Sequence, residues 1–170
     1  MKPYKTLLEE SLEAWAYARQ GVIDEVKNIP AKDFSFRATP QNRSVVELVQ
    51  HIIESGLMMS GELTRPDGNF LRESYPRFIK EYASHVHKSA SKSDLLALLK
   101  SSHAQGDRKF REVGELFMLQ HITRFDGLKG TRLAWMGHGI SHEEYHRGQL
   151  ALYARLLGLV PALTRQIMGE

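Results

Sequence analysis

The chain has 170 residues, of which 42% are hydrophobic and 25% charged, and this composition is that of an ordinary globular protein with one domain spanning residues 1–170. It contains no cysteine, which excludes disulfide bonds, thiolate zinc ligands and a cysteine nucleophile. The formal net charge is only +3 and the basic residues are spread along the chain, so the charge does not indicate a nucleic-acid partner.

The first predicted helix extends from about Pro3 to Lys27. Its apolar residues, among them Leu8, Leu12 and Trp15, recur at steps of three and four. The N-terminus lacks the apolar core of a signal peptide, and no uncharged apolar stretch of about 18 residues occurs. We therefore expect a cytoplasmic protein without a membrane span.

Two further long helices are predicted in the middle of the chain. The second begins at Ser44, where Ser44-Val-Val-Glu47 has the form of a capping box, and runs to about Leu63. A short helix is predicted around YPRFIKEYASHVHK. The third long helix follows Ser91, with one stripe formed by Leu95, Leu99, His103, Gly106 and Phe110.

The last predicted helix runs from a cap at Thr131 to Leu157 and is ended by Gly158 and Pro161. The connection before it, residues 114–130, is long for a bundle loop, and its apolar residues are expected to pack. Almost no strand pattern is present. Four long helices in a chain of this length predict an all-α protein, a four-helix bundle.

Two histidines lie on the face of the fourth helix that is predicted to point inward. At 100° per residue, Trp135, His146 and Tyr153 all fall within about 60° of His142. His142 and His146 are one turn apart, with Cβ atoms about 5–6 Å from each other, so both imidazoles can reach one metal ion. Paired core histidines with satisfied hydrogen bonds share this spacing, so the spacing alone leaves both interpretations open.

A third ligand has to come from another position. His138 shares the stripe, but it lies eight residues from His146, about 12 Å along a straight helix, which is too far for a common ion. His51 is the better candidate, because its side of the second helix carries small and apolar residues such as Ser55 and Met58. The remaining histidines are not favoured as ligands: His85, His87, His103 and His121.

The ligand types restrict the metal. Di-iron bundles use two Glu-x-x-His motifs and two further glutamates; Glu143-Glu-Tyr-His146 is one such motif, and the sequence contains no second. A di-iron site is therefore disfavoured. A mononuclear site with nitrogen ligands suits zinc, nickel, iron or copper better than magnesium or calcium, and zinc or nickel is the ion we expect.

Two segments, SVVELVQHIIES and ISHEEYHRGQLALYARLLG, resemble the DinB/YfiT-like superfamily of metal-dependent bundle proteins. The resemblance covers nearly the whole chain in element order, and its most specific part is the His-x-x-x-His-Arg-Gly-Gln-Leu run. It implies an up-down-down-up four-helix bundle with a long crossed connection. It also implies a metal site open to solvent with His51, His142 and His146 as ligands.

The residues around these histidines have distinct predicted roles. Gln149 lies about 20° from His142 around the helix and is a candidate to contact a ligand histidine or a bound molecule. Arg147 points away from the site and is predicted to form a salt bridge, whereas Gly148, on the far side, is predicted to permit close approach of another helix. Glu54, one turn after His51, can orient a histidine or accept a proton; a solvated glutamate is an equally good interpretation.

A three-histidine site leaves at least one coordination position open for water or a substrate thiolate. The resemblance implies the second use, because the superfamily includes transferases and isomerases that take bacillithiol, mycothiol or glutathione as cosubstrate. We expect a divalent-metal-binding, thiol-dependent transferase acting on small molecules in stress response or detoxification. Two alternatives stay open: a metal-dependent hydrolase with Glu54 as base, and a non-catalytic, stress-induced protein that binds metal or ligand.

Apolar residues outside the inner stripes indicate self-association. Trp15 with Tyr17, and Leu152 with Leu156, are predicted to lie off the inner faces of their helices. Small bundles often bury such residues in a symmetric dimer, and the resemblance implies the same. We therefore expect a homodimer.

Overall fold

The structure, a computed structural model, describes residues 4–169. Four long helices carry the fold, and two short helices and a β-hairpin connect or follow them. The elements in chain order are α1 (Leu7–Asn28), α2 (Val45–Thr64), α3 (Tyr75–Ala83), α4 (Lys92–Met118), β1 (His121–Thr123), β2 (Lys129–Thr131), α5 (Arg132–Leu156) and α6 (Ala162–Met168).

Side-chain caps explain where the long helices begin. In each, a hydroxyl accepts a hydrogen bond from the backbone N–H three residues later, which satisfies one of the amide groups that a helix start leaves without a partner. The caps are Thr6, Ser44, Ser91 and Thr131. The capping box predicted at Ser44 is confirmed, whereas Pro3, the start predicted for the first helix, lies outside the described residues.

Contacts between the long helices define their directions. The amide of Leu8 donates to Glu115 at 2.9 Å, so the start of α1 meets the end of α4 and the two helices run antiparallel. Asn28 at the end of α1 donates to the carbonyl of Val160 just beyond α5, at 2.8 Å. Trp15, in the first half of α1, donates a hydrogen bond to Glu143 in the middle of α5. The two contacts together show that α1 and α5 are parallel.

The second helix completes the bundle. α2 packs against α4 and α5, and the hydroxyl of Tyr153 near the end of α5 donates at 2.9 Å to the carbonyl of Arg43, just before α2 begins. α2 is therefore antiparallel to α5. The directions of α1, α2, α4 and α5 are up, down, down and up, with α1 packed mainly against α5 and α2 mainly against α4, and the predicted fold is confirmed.

The segment between the third and fourth long helices differs from the prediction. α4 does not end at Gly114; it continues past a kink there, where φ is 75°, to Met118. The rest of the segment includes an antiparallel hairpin, in which His121 pairs with Thr131. The prediction of almost no strand is confirmed apart from this short hairpin of two three-residue strands, which the sequence analysis did not anticipate. The missed signal is Asp126-Gly127, a hairpin turn sequence, in which Gly127 adopts a φ of 80°.

A buried polar cluster links three of the long helices. Arg19 on α1 forms a salt bridge with Glu143 on α5, and both side chains are almost fully buried. Its guanidinium also donates to the carbonyl of Leu99 at 2.9 Å and to the hydroxyl of Ser102 at 3.0 Å, both on α4. Trp15 donates to the second carboxylate oxygen of Glu143 at 2.7 Å. Both carboxylate oxygens of Glu143 are thus engaged in structural contacts with α1.

Two of the predicted positions lie differently in the structure. Trp15 is fully buried, so the prediction that it lies off the inner face was wrong. Gly148 is exposed, and a Cβ added there would have no neighbour within 4 Å, so no helix approaches it closely. The close approach occurs instead at Gly21 on α1, where an added Cβ would collide with the guanidinium of Arg147.

The homodimer stays a prediction. It now rests on three exposed apolar residues, because the fourth, Trp15, is buried. Tyr17, Leu152 and Leu156 are each more than half exposed, and burying them would remove apolar surface from water. We expect light scattering at tens of micromolar to give twice the mass of one chain, and Leu152→Lys to shift the mass toward the monomer. A monomer mass for the unmodified protein would contradict the prediction.

In the range 4–169, none of the helices is long and apolar enough to cross a membrane.

Candidate metal centre

The three histidines favoured by the sequence come together between α2 and α5. His142 and His146 lie one turn apart on α5, and His51 faces them from the middle of α2. The Nε2 atom of His142 lies 3.1 Å from that of His51 and 3.0 Å from that of His146. Among the described residues, these three histidines are the one group of histidine and acidic side chains able to hold a metal ion. Their ligand atoms lie within 4.8 Å of one another.

These distances fit donors that share one ion. Two nitrogens bound at 2.0–2.1 Å lie roughly 2.9 Å apart at a right angle and roughly 3.4 Å apart at a tetrahedral angle. The observed separations of 3.0 and 3.1 Å lie within that range. Because the group contains no carboxylate, its donor set is neutral and suits zinc, nickel or copper rather than magnesium or calcium.

Hydrogen bonds on the outer nitrogens turn two of the rings toward the shared space. The Nδ1 atom of His146 lies 2.7 Å from the amide oxygen of Gln149, so it carries the proton and leaves the Nε2 lone pair pointing inward. The Nδ1 atom of His51 lies 3.3 Å from the hydroxyl of Tyr75. Outer partners of this kind fix the tautomer and orientation of metal-binding histidines, so the rings are oriented for a cation.

The surroundings keep the three imidazoles neutral. Burial is the main cause that lowers the pKa of His51 to about 3 and that of His142 to about 4, and the charges of Arg43 and of neighbouring histidines contribute to both values. Burial also lowers the pKa of His146, against the opposing effect of its bond to Gln149. A metal ion at neutral pH would therefore not have to displace protons from these rings.

An apolar cavity of about 260 Å³ opens beside the histidine triad. His51 and His142 form part of its wall, and Gly139 permits Met59 to line it, because a Cβ there would collide with the methionine sulfur. The remaining wall is mostly aromatic and apolar, with Ser55, Met58, Phe70, Tyr75, Phe125, Trp135 and His138. A small molecule with an apolar part fits such a space.

Three of the wall residues lie outside the long helices and were not predicted as part of the site. Tyr75 is the first residue of α3, Phe70 lies in the loop before it, and Phe125 lies at the tip of the hairpin. The sequence indicated only that the hairpin segment packs. The local sequence pattern does not show which residues distant in sequence lie near His51. These wall residues could therefore be identified only from the structure.

The other predicted residues make contacts of their own. Glu54 lies 2.7 Å from Nε2 of His87, and burial raises its pKa while His87 and Arg43 lower it. Tyr75, rather than Glu54, is the residue that contacts His51. Arg147 forms a salt bridge with Glu144 at 3.1 Å, as its predicted direction suggested.

The remaining histidines lie apart from the triad. His103 packs on Trp15 with ring centroids 4.4 Å apart, and burial lowers its pKa to about 4, with the charge of Arg19 as the next cause. His85 and His121 are exposed. His138 lies on the cavity wall with its ring 4.3 Å from that of Trp135.

His138 is expected to shape the cavity without binding the ion. We predict that His138→Ala keeps stoichiometric metal, because the alanine removes a wall residue and leaves the three ligand rings intact. The binding of an apolar ligand should change, since the indole of Trp135 loses one of its aromatic neighbours. Elemental analysis of the purified variant checks this, and a metal loss as large as that of His142→Ala would contradict the ligand set.

Solved structures of known proteins share this fold. YfiT from Bacillus subtilis, described as a probable metal-dependent hydrolase with an unusual four-helix bundle topology, has a TM-score of 0.70 at 15% identity, with 94% of each chain covered. The DinB-like protein YjoA from Bacillus subtilis has a TM-score of 0.66 at 21% identity, with 88% of this chain and 92% of that chain covered. At these identities the likeness concerns the fold.

A third structure is the mycothiol-dependent maleylpyruvate isomerase, with a TM-score of 0.66 at 16% identity; the alignment covers 84% of this chain and 60% of that protein. None of the curated proteins compared with the chain matches it. The model of the DinB family, in contrast, matches residues 2–167, nearly the entire sequence. Since this match agrees with the bundle topology and with the likeness to DinB-like structures, the chain belongs to the DinB family.

Proposed function

We propose that this protein is a divalent-metal-dependent thiol transferase that conjugates a low-molecular-weight thiol to small electrophiles in detoxification or stress response. The observation that carries the proposal is a three-histidine group without carboxylates, beside an apolar, largely aromatic cavity. A divalent ion held by His51, His142 and His146 would keep its double charge, because the three donors are neutral, and would lower the pKa of a coordinating thiol.

The chain's own residues supply orientation and a place for the second reactant. Gln149 and Tyr75 hold two of the histidine rings, and the aromatic wall accepts the apolar part of an electrophile. In the transfer, the thiolate sulfur forms a bond to an electrophilic carbon. The electron pair of the bond that breaks leaves with the departing group, and the proton that the thiol has lost goes to that group if it is basic and otherwise to solvent. Because the chain has no cysteine, the sulfur must come from a cosubstrate.

Two relatives in fold support different chemistries for such a site. The isomerase is described as mycothiol-dependent, which favours a thiol, whereas YfiT is described as a probable metal-dependent hydrolase. Hydrolysis needs an activated water and benefits from a nearby general base. The sequence candidate for that base, Glu54, is in contact with His87 and is not part of the cavity wall. This arrangement favours the transferase.

The experiment uses cobalt-loaded or nickel-loaded protein. Adding a small thiol should change the visible absorption of the metal and accelerate conjugation of that thiol to a chromogenic aryl halide. His142→Ala should abolish both effects. Hydrolysis of simple esters without any thiol effect would replace the proposal by the hydrolase, and failure of both reactions over a broad panel would favour the non-catalytic binding protein.

A further inference from the structure

His138 lies on α5 one helical turn before His142, on the side of the triad where the apolar cavity lies. The two positions are about 6 Å apart along the helix axis, and both side chains form part of the cavity wall. His138 is exposed as well as part of the wall, so it lies where the cavity opens to solvent. A molecule that reaches from the triad to this opening therefore extends from His142 to His138.

The cavity wall offers few polar groups besides the triad. Within the part of the chain that the structure describes, the wall contains no Asp, Glu, Lys or Arg, and its other hydrogen-bonding side chains are Ser55, Tyr75, Trp135 and His138. The hydroxyl of Tyr75 is already in contact with Nδ1 of His51, at 3.3 Å. The hydroxyl of Ser55 lies on a helix, where a serine can donate to the backbone carbonyl four residues earlier.

The imidazole of His138 is available to a ligand. Its ring packs beside the indole of Trp135, with centroids 4.3 Å apart, and this contact limits its movement. Among residues 4–169, no hydrogen bond or salt bridge includes the ring nitrogens of His138. A neutral imidazole carries one N–H donor and one acceptor. His138 therefore presents a donor where the cavity opens.

The rest of the wall favours an aromatic occupant. The rings of Phe70, Phe125 and Trp135 lie with centroids 4.6, 5.9 and 6.3 Å apart, and they form one surface of the cavity. Its volume of about 260 Å³ exceeds the volume of about 150 Å³ of an apolar cavity that binds benzene. The space therefore accommodates a benzene ring with a substituent. A wall without charged side chains favours an uncharged molecule, because an ion would lose its hydration there.

We propose that His138 is the specificity-determining residue for the second reactant, because its imidazole N–H donates a hydrogen bond to an oxygen of an uncharged aromatic molecule in the cavity. The inference rests on the proposed function and narrows its electrophile to an aromatic molecule that carries such an oxygen. The aromatic ring packs against Phe70 and Trp135, and the reacting carbon lies toward the triad. A molecule without the oxygen keeps the contacts with the wall and loses the one with His138.

The test compares two flat molecules that differ in one acceptor. Acetophenone has a carbonyl oxygen where α-methylstyrene has a methylene group, and the two are otherwise alike in shape. Each is titrated into nitrogen-15-labelled full-length protein in the presence of zinc, and the dissociation constant is read from the NMR signal of the Trp135 indole N–H. The indole of Trp15, which is fully buried outside the cavity wall, is the internal control. We expect both ligands to shift the Trp135 signal and neither to shift that of Trp15.

The readout is the ratio of the two dissociation constants, because a change in the apolar wall affects both ligands. His138→Phe keeps a ring beside Trp135 and removes the N–H. It should weaken acetophenone relative to α-methylstyrene by roughly three- to tenfold, the effect of one hydrogen bond. His138→Gln keeps a donor and should retain part of the original ratio. His121→Phe is the matched control, since it removes an exposed imidazole outside the cavity wall.

The outcomes separate the two proposals. An unchanged ratio in His138→Phe overturns the role of His138, and a change in Ser55→Ala instead would identify the serine hydroxyl as the donor. A Trp135 signal that neither ligand shifts overturns the aromatic occupant. Because the titrations contain no thiol, failure of thiol conjugation removes the proposed function and leaves the binding result intact. An unaltered Trp15 signal in each variant establishes that its core is folded.

Discussion

Replacing any one of His51, His142 and His146 by alanine is expected to lower the affinity for zinc or nickel by more than about a hundredfold. Loss of an outer partner of a ligand histidine already costs 10–100-fold in affinity, and here the donor itself is removed. The remaining rings offer only two nitrogens, since the described group contains no carboxylate that could replace the third. The three variants should therefore behave alike.

The measurement is metal content of purified protein, followed by competition with a chromogenic chelator to obtain affinities. His85→Ala and His121→Ala are matched controls, because both remove an imidazole from an exposed position. Metal content that is equal in all five variants would remove the triad as the binding site. A loss confined to His142→Ala and His146→Ala would leave the pair on α5 and exclude His51 as the third ligand.

Glu143→Ala is expected to lower the free energy of unfolding by about 3–5 kcal/mol, the cost of leaving one member of a buried ion pair without its partner. In this variant Arg19 stays charged in the interior, where its hydrogen bonds to Leu99 and Ser102 are to neutral groups. Trp15 also loses the acceptor of its indole N–H. Because the cluster joins α1, α4 and α5, the loss should affect the whole bundle.

Urea unfolding of metal-free protein isolates this effect from metal binding. Glu143→Gln keeps an acceptor for Trp15 and should therefore be less destabilised than Glu143→Ala. Asp107→Ala is the control, because its partner Arg111 is more than half exposed, and surface ion pairs contribute less than about 1 kcal/mol. A Glu143→Ala variant no less stable than the Asp107→Ala control would show that the buried pair contributes little.

The helices and the histidine face could be predicted because the signals for them are local. Apolar residues repeat at steps of three and four along each long helix, and a hydroxyl residue stands at each start, including Ser44 and Thr131. The inward direction of His142 and His146 follows from their angular position on one helix. His51 could be proposed for the same reason, since it lies midway along a face with small and apolar neighbours.

The errors concern contacts between segments that are distant in sequence. Trp15 was expected off the inner face, yet its side chain is fully buried and its indole N–H donates a hydrogen bond to Glu143 on α5. Gly148 was expected to admit a neighbouring helix, but the side of α5 on which it lies has none. Tyr75 belongs to a short helix whose pattern gives no indication of its contact with His51. The angular position of a residue around its helix shows which residues share a face. It does not show which other helix or loop packs against that face.

The central claim is that three imidazoles from α2 and α5 bind one divalent ion. X-ray absorption spectroscopy of stoichiometrically zinc-loaded protein tests it most directly, because the outer-sphere scattering of imidazole rings reports how many histidines bind. We predict three imidazole nitrogens at about 2.0–2.1 Å, and two in the His51→Ala variant under metal excess. A spectrum with one imidazole or none in the unmodified protein, or an unchanged histidine count in His51→Ala, would contradict the claim.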